Sequence, residues 1–117
     1  LVGSEMCIRD RHRKMKGWNE DRVNKGLQEV RHRVGIHYGD CIVGNVGGEQ
    51  QLEYTVIGDT VNVASRICDL CKDVDTNFLV SRVLHDKITH SETSTPLNQQ
   101  AIRGKRTKID LVKISLL

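Results

Sequence analysis

Six of the ten glycines fall between residues 35 and 58. They punctuate two apolar runs, "RVGIHYGDCIVGNVGG" and "LEYTVIG". Glycine inside an extended run marks a bulge, a turn or a close backbone approach. Val34, Ile36 and Tyr38 alternate along one face of a strand with His37 on the other, and the extended pattern resumes through Cys41, Ile42 and Val43. A short polar link then turns the chain back. This pattern predicts a β-hairpin from about residue 34 to residue 58. Directly after it, "IGDT" leads into a helix over residues 60–72, "TVNVASRICDLCK". Asp59 or Thr60 is expected to cap that helix, and Val63, Ile67, Leu70 and Cys71 form its buried stripe.

Around this centre the rest of the chain reads as small, regular pieces. Residues 17–30, "GWNEDRVNKGLQEV", predict a helix capped by Asn19, with Trp18, Val23, Leu27 and Val30 at helical spacing. "NFLVS", residues 77–81, predicts a buried strand, followed by a short helix, "RVLHDKI", capped by Ser81. Residues 90–98 read as a polar loop holding the only proline, and "QAIRGKRTKIDLVKISLL" as two strands joined by a turn at "GKRT". The order α-β-β-α-β-α-β-β predicts an α+β fold with one antiparallel sheet.

With 117 residues, the chain fits one domain or part of one, and with aromatics at 3% its core must be Val, Ile and Leu. No apolar run approaches the ~18 residues that a membrane span requires. Four cysteines are too few for a disulfide scaffold of a secreted protein, which places the chain in a reducing, cytoplasmic setting. A net charge of +3 is too small to argue for nucleic acid, and the basic run "RDRHRKMK" lacks interleaved aromatics. "CDLC" has no second cysteine pair at zinc spacing, and "GNVGGEQQ" lacks the G-K-[ST] ending of a phosphate loop. Residues 1–11, "LVGSEMCIRDR", resemble translated sequencing-adaptor strings and are expected to be a non-native leader, with the domain proper at residues 12–117.

Asn62 and Arg66 lie four residues apart, on one face and within the first turns of the central helix. Free N–H groups and the positive dipole end favour anions there, a guanidinium can fork onto phosphate oxygens, and an amide can serve a sugar oxygen. Spacing alone is equally met by an exposed helix face on which Arg66 pairs with a surface acid.

The order of motifs is more specific than the pair. "RVGIHYGDCIVGNVG", then "YTVIGDTVNVASR", then a late "RGK" resembles the catalytic domain of class III nucleotide cyclases, the adenylate and guanylate cyclases, over its C-terminal part. The resemblance implies a ferredoxin-like, palm-type antiparallel sheet with helices on one face, truncated at its N-terminal side. It implies that Asn62 orients the ribose and Arg66 stabilises charge on the α-phosphate while the 3′-oxygen attacks and pyrophosphate leaves. Thr55 matches the position that reads the base edge, and its "YT" setting favours ATP over GTP; Lys105 matches a lysine that approaches the triphosphate. The family's two Mg²⁺ or Mn²⁺ ions are held by aspartates that precede the "GIHYG" strand, and no such stretch occurs in this sequence; Asp40 matches a variable position. A lone chain is therefore expected to be inactive and to act in a head-to-tail dimer with a second cyclase domain. The resemblance implies intracellular signalling and leaves room for a membrane-anchored parent protein. A non-catalytic, cyclase-like dimerisation or regulatory module is the alternative.

Overall fold

A computed structural model describes residues 2–87 and 94–115. In chain order its elements are α1 (Val2–Asn24), β1 (Val34–Ile36), β2 (Ile42–Gly48), β3 (Gln51–Ile57), α2 (Asp59–Asp73), β4 (Phe78–Ser81), α3 (Arg82–His85), β5 (Ser94–Gln100) and β6 (Ile109–Ile114). The strands form two sheets. One has the order β1-β4-β6-β5; the other is the β2–β3 ribbon.

β4 is the centre of the larger sheet, and each of its four residues is buried. Alternation sends Leu79 to one face, where it joins Val63, Ile67 and Cys71 of α2, together with Ile102 and Leu111. Phe78 and Val80 go to the other, where they meet Leu84 of α3, Val112 and Ile114 of β6, and the partly buried Ile8, Val34 and Ile36. Ile67 is 0% exposed, and full burial of such a side chain contributes about 1.5–3 kcal/mol. Ser81 ends the strand and caps α3 as expected, its Oγ accepting from the Leu84 N–H at 3.4 Å.

α2 lies flush on β1. A Cβ on Gly35 would come within 2.7 Å of Cys68 Cα and 2.9 Å of the Ala64 carbonyl oxygen. The "CDLC" thiols face the same strand: Cys68 Sγ donates to the Arg33 carbonyl and Cys71 Sγ to the Val34 carbonyl, each at 3.6 Å. Burial, aided by neighbouring Cys68, pushes the Cys71 thiol up to about 11, so it packs as a neutral group.

The α+β class is the one expected, but several details differ. The expected 34–58 hairpin divides, because the chain leaves β1 and forms a separate ribbon before α2 returns it to β4. The β1–β4 pair, Val34 opposite Phe78, is consequently parallel, so the sheet is mixed rather than wholly antiparallel. Helices cover both of its faces, not one. The expected helix at 17–30 is instead the C-terminal part of α1, which stops at Asn24 before Gly26 with φ 73°. Asn19 is consequently no cap; its side chain clamps the Val30 backbone, with Nδ2 donating to the carbonyl at 2.8 Å and Oδ1 accepting from the N–H at 2.9 Å. Part of the expected 90–98 loop is strand β5, with Pro96 opposite Val112. Proline is tolerated because β5 is an edge strand, where a missing donor breaks no inner ladder. The first part of that loop, like residue 88 of the short helix, lies outside the described residues.

Candidate active site

One face of α2, from Asn62 to Asp73, and the loop between β5 and β6 meet along a cleft. Asn62, Ser65, Arg66 and Asp69 of the helix line a cleft of about 520 Å³, and Ala101 and Arg103 close it from the loop. Asn62 is exposed and Arg66 half-buried. The guanidinium lies across Gly104: the point where a Cβ would sit is 3.3 Å from Nη2 and 3.4 Å from Cζ. Among the described residues Arg66 forms no ion pair within salt-bridge distance. Its charge is left facing the cleft, with Asp69 and Asp73 on the same wall.

Lys105 stands beside this cleft rather than in its lining. Its Nζ is 2.6 Å from Asp59 Oδ2, at the first turn of α2. Asp59 is thus not the cap that the sequence suggested. The N-cap is Gly58, with no side-chain capping bond. Thr60 does not cap either; its Oγ1 donates 2.6 Å to the Asp40 carbonyl and ties the helix start to the loop after β1. Gly39 leaves room for this contact, since a Cβ there would lie 2.6 Å from Thr60 Oγ1. His37 reaches the same neighbourhood. Burial holds its imidazole below the ordinary value, the Lys105 cation lowers it further, and Asp59 opposes. His37 Nδ1 is buried with no hydrogen-bond partner among the described residues.

Thr55 occupies a different place. It is half-buried in β3, opposite Gly44, on the ribbon, and is not among the cleft's lining residues. The structure therefore brings Asn62 and Arg66 together and sets Lys105 at the edge of their site, but leaves Thr55 on a separate element. Arg103 lines the cleft although nothing in the sequence beyond the "RGK" run marks it. Sequence reading missed Asp59 as the partner of Lys105. Among the described residues, no group of three or more His, Cys, Asp or Glu side chains could hold a metal ion. None of the described residues is assigned as a metal ligand. A larger cleft, about 660 Å³, opens between α1 and the end of β6. It is lined by His12, Lys16, His32 and Lys113 among others and contains none of the expected site residues.

A half-buried guanidinium with no acidic partner within salt-bridge distance among the described residues, and further cations from a second element, suit a polyphosphate. The chain matches the adenylate and guanylate cyclase catalytic domain over residues 6–113. It belongs to that family. Adenylate cyclase 1 of Rhizobium meliloti (strain 1021) is 36% identical over 101 residues, covering 86% of this chain and 15% of that protein. The crystal structure of the adenylyl cyclase CyaB from P. aeruginosa superposes with a TM-score of 0.74 at 25% identity, over 88% of this chain and 52% of that one. A guanylyl cyclase crystal structure shares the fold with a TM-score of 0.80 at 20% identity, over 97% of this chain and 56% of that one. The cyclase domain described here thus spans a small part of its curated relative and about half of the solved chains. No helix among its described residues is long and apolar enough to cross a membrane.

Proposed function

We propose that this cyclase domain supplies the Asn62–Arg66 side of a composite active site. That site converts a nucleoside triphosphate, ATP in preference to GTP, into its 3′,5′-cyclic monophosphate and pyrophosphate for signalling in the cytoplasm. The observation that carries the reading is the Arg66 guanidinium, half-buried in a cleft and free of any acid within salt-bridge distance among the described residues. In the reaction the ribose 3′-oxygen loses its proton and bonds to the α-phosphorus, while the bond from that phosphorus to the pyrophosphate oxygen breaks. Negative charge gathers on the non-bridging oxygens. A guanidinium already aimed at them stabilises the transition state more than the ground state, and one such donor is worth on the order of 10²–10³ in rate. Asn62 orients the ribose, Lys105 approaches the outer phosphates, and Thr55 reads the base.

The ions that the family uses, Mg²⁺ or Mn²⁺, would neutralise the polyphosphate from ligands outside this set of residues. On this reading the chain does not turn over alone. A second cyclase domain, bound head to tail, carries the acidic ligands. The exposed apolar side chains of the ribbon support such a partner; Ile42 is 72% exposed, Leu52 64% and Tyr54 76%. They equally favour the second reading, a non-catalytic dimerisation module.

One assay separates the two readings. The chain is paired with a cyclase domain that has intact acidic metal ligands but lacks its own arginine at the position of Arg66. Cyclic nucleotide formation from ATP is then measured. The catalytic reading expects turnover from the pair and its loss by about 10²-fold or more in Arg66→Ala, with KM little changed. A stable pair whose turnover is indifferent to Arg66 leaves the module reading. In the same pair, Thr55→Cys combined with a change at the family's upstream base-reading position, supplied by the partner domain, should move preference towards GTP, and selectivity indifferent to both would take Thr55 out of base recognition.

A further inference from the structure

We infer that the turn formed by residues 102–105 positions the phosphate-binding cations, with Gly104 and Asp59 as the positioning residues for Arg66 and Lys105. The inference rests on the cyclase reading and adds two residues to its site.

The turn is fixed at both ends. Ile102 is 3% exposed and packs in the same cluster as Val63 and Ile67, the inward face of the helix that carries Asn62 and Arg66. The Lys105 N–H closes the turn by donating to the Ile102 carbonyl at 3.0 Å. The next side chain then meets the helix start, where Lys105 Nζ and Asp59 Oδ2 are 2.6 Å apart. Between these anchors Gly104 adopts φ +83°, and its bare Cα faces the Arg66 guanidinium. A Cβ would stand 3.3 Å from Nη2, a tight approach, and 3.4 and 3.6 Å from Cζ and Nη1, ordinary contact, so a side chain there would displace the guanidinium by a few tenths of an ångström.

This geometry does more than leave space. The flat backbone face of Gly104 restricts where the guanidinium can lie, so less rotamer freedom remains to be lost when it forks onto a phosphate. The Asp59 carboxylate likewise holds the Lys105 ammonium at one point of the helix start rather than letting its flexible stem wander. Arg103, between the two anchors, is carried into the cleft by the same turn. Three cations thus have their mutual placement set by one glycine and one carboxylate, neither of which need touch the nucleotide.

The test uses Gly104→Ala and Gly104→Asn together. Asparagine accepts positive φ, so it relieves the backbone strain of the alanine variant but keeps the Cβ. In the free chain, the Arg66 side-chain Nε–H resonance, identified by its loss in Arg66→Lys, should shift in both variants. It should stay in place in Gly17→Ala, a helical control with nothing within 4 Å. In the paired assay, kcat should fall about 10-fold in both, approaching the ~10²-fold that a 1 Å misplacement costs, with KM within about twofold. Asp59→Asn should show the same split, and Asp59→Glu should recover part of kcat. An Arg66 resonance unmoved by either Gly104 variant overturns the inference, whatever the activity. Full turnover in Arg66→Ala, with the resonance shifts still present, overturns the cyclase reading instead.

Discussion

The β2–β3 ribbon and β4 are built from similar apolar residues, yet they end in opposite environments. All four residues of β4 are buried, between α2 on one side and α3 and Ile8 on the other. On the ribbon only Gly44 and Thr55 escape the exposed class. Its register puts Val43, Leu52, Tyr54 and Val56 on one face and Ile42, Val46, Thr55 and Ile57 on the other. Neither face is covered by the described residues. An isolated two-stranded ribbon is marginal in water, and clustered apolar exposure of this kind marks an interaction surface. The contrast separates two uses of one sequence style. β4 holds the fold together, whereas the ribbon leaves its apolar side chains exposed.

Glycine substitution should break this contrast most sharply. Gly35→Ala drives a Cβ into the backbone of α2 at Cys68 and Ala64, where neither partner is a flexible side chain. We expect a loss of about 3 kcal/mol or more, beyond ordinary overpacking. Gly44→Ala, on the ribbon with nothing within 4 Å, should change stability by no more than about 0.5 kcal/mol. Urea melts of the two variants decide it. Equal losses would mean that α2 does not lie against β1 as described, or that the ribbon is packed after all.

A smaller effect is expected from polar replacement on the ribbon. Leu52→Ser combined with Tyr54→Ser should leave the melting temperature of the free chain nearly unchanged, because both side chains already face water. The same pair should weaken association with a second cyclase domain by about tenfold or more, the scale of losing one aromatic anchor. Sedimentation analysis across concentration reads the second quantity, calorimetry the first. Stability that falls as it does for a core variant would move the ribbon to the other side of the comparison.

What could be read beforehand follows from the range of the interactions. α2 was legible because Val63, Ile67 and Cys71 repeat within one helix, and "FLVS" because an unbroken apolar run bounded by polar residues suits a buried strand. The helix at 17–30 was misplaced because Val23, Leu27 and Val30 keep helical spacing, although Gly26 breaks the helix before the last two. The parallel β1–β4 pair joins segments separated by the ribbon and α2, and no local pattern encodes it. β5 was read as loop because Pro96 signals one, and only the strand's edge position makes proline acceptable there. At the site, Asn62 and Arg66 share a helix, so their spacing placed them on one face, and it was the order of motifs rather than the spacing that pointed to a phosphate ligand. Asp59 and Gly104 could not be found that way, since each acts on a residue brought to it by the tertiary fold.

The smallest predicted effect is in pH dependence, and it also divides the two regions. Burial is the leading cause that holds both His37 and His32 below 6.5; Lys105 adds to it at the first, and His12 then Arg11 at the second. Their protonated forms are therefore less favourable in the folded chain than in the unfolded one. Below 6.5 the unfolded chain binds more protons, so stability is complete above that value and declines as pH falls through it. Both imidazoles are partly exposed, so the slope should be shallow. His37→Asn should remove one part of it and His32→Asn another, measured as melting temperature between pH 7.5 and 5.5. The ribbon, residues 42–57, contains no histidine. Association through it should accordingly stay level over the same interval while the stability of the sheet declines. A partner affinity that follows the melting temperature step for step would show that the two regions are not independent, and that the ribbon's partner also rests on the His37 side of the domain.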